Sequence, residues 1–77
     1  MPLYSFDAKV NDQPWSDDQA GLELASVEQA RRTALTLAGE VTKEHILDLH
    51  EVCVRVRDES PVPLIVVRIA VKVEARL

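Results

Sequence analysis

Between residues 4 and 10 apolar and polar positions alternate: Tyr4, Phe6, Ala8 and Val10 are separated by Ser5, Asp7 and Lys9. A period of two is that of a strand with one buried face, which makes Tyr4 and Phe6 the expected core anchors. Asn11, Asp12, Gln13 and Pro14 then end the alternation. Asn and Asp bond to nearby backbone and tolerate left-handed geometry, and Pro14 has no N–H to give a ladder. A short second strand is expected through Trp15 and Ser16. Asp17 to Gly21 turns the chain again, with Gly21 as the positive-φ residue, and Leu22 and Leu24 lead on.

The pattern then changes period. From Gly21 to Ala38 the chain reads as one amphipathic helix with its leading turn, capped by Ser26, with Gln29 three residues later to answer the Ser26 backbone. Val27, Ala30, Ala34, Leu37 and Ala38 form the apolar stripe, and Glu28, Gln29, Arg32, Thr33 and Thr36 lie opposite. Gly39 has the character of a C-terminal glycine, yet Val41 continues the stripe. Beyond it the phase fails, because His45 and Asp48 would join the stripe while Ile46 and Leu47 left it. The expectation is a helix to about Gly39 or Val41, then a short second turn capped by Thr42 and running through His45 to Leu49. The alternative is one kinked helix.

Alternation returns in the C-terminal third. Val52, Val54 and Val56 alternate with Cys53, Arg55 and Arg57, and after Asp58 to Pro61 the odd positions Pro63 to Val73 are again apolar. This is a hairpin. With Glu59 and Ser60 at the centre of the turn, Val54 falls opposite Ile65, Val52 opposite Val67, and Glu51 opposite Arg68, which places both valine rows on one face. The other face then carries Cys53 against Val66 and Arg55 against Leu64. Val62, Leu64, Val66, Cys53 and Ala70 form a semi-apolar patch there, interrupted by Arg55, Arg57 and Arg68. The last strand extends past its neighbour, so its open edge is suited to accept another strand. Strand, strand, helix, strand, strand is an α+β domain, a small antiparallel sheet in ββαββ order with one main helix on one face, spanning residues 1–77 as one domain.

Composition narrows the functional classes. A chain of 77 residues buries only about 60% of its unfolded surface, so its stability is thin and self-association would help it. A single cysteine excludes an internal disulfide and a cysteine-based zinc site. The N-terminus has neither a basic region nor a long apolar run, and no segment reaches membrane-spanning length, so a cytoplasmic protein is expected. Thirteen acidic against nine basic residues, a net charge of -4, oppose non-specific nucleic-acid binding.

The side chains capable of chemistry give little. Asp7, Asp12, Asp17 and Asp18 supply the oxygen ligands a divalent cation needs, but loop aspartates far more often serve as turn residues. His45 and His50 are five apart, a poor spacing for one helical face. Cys53 has no evident activating base and reads as a small packing residue. Trp15 reads as a half-buried core aromatic more readily than as an anchor for a partner. With two glycines in the chain there is no phosphate-cradling loop. No catalytic, cofactor-binding or metal-ligating residue is expected, nor a cofactor, and the chain does not read as an enzyme.

Alternating aromatics at the start, a polar turn, Asp17, Gly21 and Leu24 in the pattern Asp-x-x-x-Gly-x-x-Leu, a capped helix with Glu28, Ala30 and Ala34, and a hairpin opening Val54 to Glu59 resemble, in this order, a family of short proteins of unknown function from rhizobia and related bacteria, domain of unknown function 6894. The resemblance covers most of the chain. It departs in having Asn11-Asp12 where Asp-Gly is frequent, and Ser60-Pro61 where the last turn often has glycine. It implies a fold and a bacterial setting, and no activity. The turn, cap and helix opening also resemble HicB-like antitoxins over about a third of the chain. Together these observations favour a binding or assembly module whose interface is Cys53, Arg55, Arg57, Leu64, Val66, Arg68 and Ala70, with a second copy or another protein as partner. The alternative is a small nucleic-acid-binding or antitoxin-like regulator.

Overall fold

A computed structural model describes residues 2–76. Strand β1 spans Leu3–Val10, β2 Leu22–Glu23, helix α1 Val27–His45, β3 Glu51–Arg57 and β4 Ile65–Ala70. The strands form one antiparallel sheet in the order β2-β1-β3-β4, so β1 and β3 are central and β4 lies at an edge. This is the α+β, ββαββ arrangement the patterning predicts. Its second strand is not where the patterning puts it. Trp15 and Ser16 form no strand: Ser16 makes one bridge to Ala8, each donating its N–H to the other's carbonyl. The pairing role passes to Leu22 and Glu23, opposite Tyr4 and Leu3. Pro14 and the Asp17–Asp18 turn flank the bridge so closely that no ladder can extend from it. Gly21, at φ +74, turns the chain into β2, and a Cβ there would meet Leu3 carbons at 3.0 Å.

The helix begins as the capping pattern dictates. Ser26 accepts a hydrogen bond from the Gln29 N–H at 3.2 Å, and the Gln29 side chain accepts from the Ala25 N–H at 3.0 Å. The reciprocal bond thus falls one residue before the cap. Ala30, Ala34 and Ala38 are fully buried, with Leu37 and Val41 packed beside them, whereas Val27 is half exposed. The helix does not stop at Gly39. It runs unbroken to His45, and Thr42 caps nothing, its hydroxyl donating back to the Ala38 carbonyl at 2.7 Å. A glycine in a helix costs about 1 kcal/mol relative to alanine, and the packing of Val41 outweighs that cost. Gly39 is exposed, with no atom within 4 Å of an added Cβ. Gly39→Ala is therefore expected to raise stability by about 0.5–1 kcal/mol in urea unfolding.

The core lies between helix and sheet: Tyr4, the three alanines, Leu49, Val52, Val54 and Val56 are buried, with Phe6, Ala8, Val10, Ile65, Val67, Ile69 and Val71 partly buried around them. The hairpin register differs from the expected one by two residues. Val52 lies opposite Ile69, Val54 opposite Val67 and Val56 opposite Ile65. The connection is a loop from Asp58 to Leu64 rather than a tight turn at Glu59-Ser60. Prolines 61 and 63 explain the shift, since the tighter register would set Pro63, which has no N–H, opposite Val56. Because side chains repeat every two residues, both valine rows keep their face. Arg68 now stands opposite Cys53 rather than Glu51, and its guanidinium still reaches Glu51 diagonally at 3.5 Å.

Candidate functional site

The face of the sheet turned away from the helix divides into two unlike halves. Over β1 and β3 it is closed by charge. Asp7 points outward from β1 yet is fully buried. Its Oδ2 accepts from Nε of Arg55 and of Arg57, each at 2.6 Å, and its Oδ1 accepts from Nη2 of Arg57 at 3.0 Å and from the Asp18 N–H at 2.9 Å. Register supplies the geometry, for Asp7 is paired directly with Arg55, and Arg57 lies two residues along the same face. The Arg57 hydrogen bonds first, then those from Arg55 and the Asp18 amide, hold the Asp7 carboxyl far below the usual carboxylate range, against burial, which acts the other way.

The loop after β1 is folded over this centre. Trp15 is half-buried on the outer face, its ring centroid 4.3 Å from the Arg55 guanidinium carbon, a cation–π stack, and Asp17 accepts from Nη2 of Arg55 at 3.1 Å. Asp18 holds the loop's shape. It accepts from the N–H groups of Phe6, Gly21 and Ala20, at 3.0, 3.1 and 3.1 Å, and those of Phe6 and then Gly21 lower its pKa most. Trp15 thus packs outside the core, contrary to the expectation of a core aromatic: alternation along β1 turns this loop toward the outer side. Asp7, Asp17 and Asp18 do converge, but their oxygens face guanidinium groups and backbone N–H.

The loop is pinned at its other end by Asn11, at φ 51. Its side-chain oxygen accepts from the N–H groups of His50 and Glu51 at 2.7 and 3.1 Å, and its Nδ2 donates to the Asp48 carbonyl at 3.0 Å. The chain leaving β1 is thereby tied to the start of β3. Asn is among the few residues other than glycine that reach this backbone region readily.

Of the seven residues expected to form an interface, the structure separates three from four. Cys53 is buried, its Sγ 3.3 Å from a Glu51 carboxylate oxygen. Arg55 and Arg57, with side chains 25% and 37% exposed, are committed to Asp7. Leu64, Val66, Arg68 and Ala70 are exposed along the outer edge. Val71 donates to the His50 carbonyl at 2.8 Å, so the odd residues of β4 turn their backbone groups toward β3. Those of Val66, Arg68 and Ala70 face the open edge. A separate open groove of about 470 Å³ lies between α1 and the β1–β2 side, with Phe6, Leu22 and Leu37 in its wall and Arg32 and Glu40 on it. It corresponds to no residue pattern, because its walls come from distant segments.

A family model for a domain of unknown function (DUF6894) matches residues 3–70, which include all four strands and the helix. The chain belongs to this family. Membership in DUF6894 bears out the resemblance read from the order of the motifs, and at the first departure, Asn11-Asp12, the left-handed position is taken by Asn11. The likeness to HicB-like antitoxins finds no counterpart in the comparisons, and no significant match was found among curated proteins or solved structures. No helix among the described residues is long and apolar enough to cross a membrane.

Proposed function

We propose that this DUF6894 chain is a non-enzymatic binding or assembly module of the bacterial cytoplasm whose working surface is the open edge of β4 with its adjoining outer strip. One observation carries the reading. Among the described residues β4 presents backbone donors and acceptors at Val66, Arg68 and Ala70 on a strand with no proline and Arg68 as its one charge, and Val66 is 54% exposed beside them. Prolines, bulges, covering loops and charges are the usual protection of an edge strand, and β4 carries only the last. The arginine pair, by contrast, supports no phosphate-binding role. Arg55 and Arg57 have spent their charge on Asp7 and Asp17, leaving Arg68, itself 3.5 Å from a Glu51 carboxylate oxygen, as the exposed basic residue of β4.

Ala70→Pro tests the reading, because the ring replaces an N–H that faces the open edge and removes no bond to β3. The variant should keep the wild-type circular dichroism and unfolding midpoint. It should lose whatever the native chain does through the edge, read as mass by light scattering over a concentration series and as specific capture from the native cell. A wild-type chain that neither self-associates nor retains a partner, or an Ala70→Pro variant that does both as wild type does, would overturn it.

A further inference from the structure

Resting on that reading, we infer that the occupant of the β4 edge is a second copy of this chain, paired antiparallel about Val71 so that Arg68 of each protomer lies opposite Glu74 of the other. The chain beyond Ala70 continues the alternation of β4: Val71 and Val73 hold the apolar positions, and Lys72 and Glu74 the polar ones. Val71, bonded to His50, is the last residue with a β3-side partner. Among the described residues, Lys72 to Arg76 have both edges open to a neighbour.

Only pairings that set even positions opposite even positions bring the open-edge N–H and carbonyl groups together. Between the register centred on Val71 and those two residues to either side of it, charge selects the first. With Val71 opposite its own copy, Arg68 meets Glu74, Ala70 meets Lys72, and on the helix side Ile69 meets Val73. A slip of two residues one way sets Arg68 against Lys72. A slip of two the other way sets Arg68 against Arg76 and Lys72 against itself, and like charges directly opposite are unfavourable. The favoured register is two-fold symmetric and closes, as a homodimer requires. It joins the two sheets edge to edge with both helices on the same side, and extends the row of Ile69, Val71 and Val73 beneath them. Among the described residues Glu74 is paired with Lys72, at 2.9 Å, and Arg68 with Glu51, at 3.5 Å, both exposed pairs that cost little to exchange.

The test uses the full chain with Cys53 replaced by Ser. Val71→Cys should cross-link to a dimer under mild oxidation, because facing residues in this non-hydrogen-bonded pair are about 4.5 Å apart at Cα, within disulfide reach. Val73→Cys, which faces Ile69, should not. With the native cysteine restored, Glu74→Arg should weaken dimerisation about tenfold, from two attractive pairs made repulsive, and the Arg68→Glu, Glu74→Arg exchange should restore it. A chain that stays monomeric at every concentration overturns the inference. So does a dimer in which Val71→Cys fails to cross-link and Glu74→Arg has no effect. If a heterologous partner is still captured in a way that Ala70→Pro abolishes, the self-pairing fails while the binding-module reading stands.

Discussion

Asp7→Asn is expected to destabilise the protein by about 3 kcal/mol at neutral pH. Asp7 is the one fully buried polar residue among those described, and it neutralises two guanidinium groups at 2.6 Å. Removing one partner of a buried ion pair costs about 3–5 kcal/mol, and the lower figure applies because both arginines can swing toward water. The loss should also depend on pH in a defined direction. Above about pH 5 Asp7 is ionised in both folded and unfolded chains, and its stabilisation is whole. Below about pH 4 the unfolded chain takes up a proton that folded Asp7 refuses, and the stabilisation drains as pH falls toward the depressed folded value. Asp18 acts in the same sense. Urea unfolding of wild type and Asp7→Asn at pH 7 and pH 3 should show the gap narrowing by on the order of 1 kcal/mol. An equal gap at both pH values would contradict the depressed carboxyl.

The second large effect is expected on the other side of the sheet. Ala34 lies at the centre of the alanine stripe, fully buried, where α1 packs chiefly on β3. The three alanines let the helix axis come close to Val52, Val54 and Val56, and a larger side chain has nowhere to go without lifting the helix. Ala34→Leu should cost about 1–3 kcal/mol by overpacking. Leu35→Ala, at an adjacent position that is 44% exposed, should change stability by no more than about 0.5 kcal/mol. Thermal unfolding of both variants separates a close helix–sheet contact from general helix propensity, which would favour neither loss.

What could be read in the sequence followed from periodicity. Alternation placed three of the four strands and their faces, and the Ser26–Gln29 pair placed the start of the helix, because these signals are local. Positions that depend on competition between local and tertiary preferences were not legible. Gly39 signals a helix end, and packing of Val41 overrides it. Pro63 forbids the tight register, but only once its partner strand is known. The Asp7 cluster was hidden for a further reason: an aspartate at an outward position of a strand reads as solvated, and only the loop from Asn11 to Gly21 folding over it reverses that. For the candidate site, the outer face was found by alternation. Its division into a closed half over Asp7 and an open half along β4 depends on that same loop.

The most direct measurement of the central claim, that the β4 edge is the working surface, is amide hydrogen exchange of the native chain as a function of its own concentration. At low concentration Val67 and Ile69, bonded to β3, should be protected while Val66, Arg68 and Ala70 exchange freely. As the chain associates, protection should appear at Val66, Arg68 and Ala70 and extend to Lys72 and Glu74. Unchanged fast exchange at these five amides in a sample that light scattering shows to be dimeric would contradict the account.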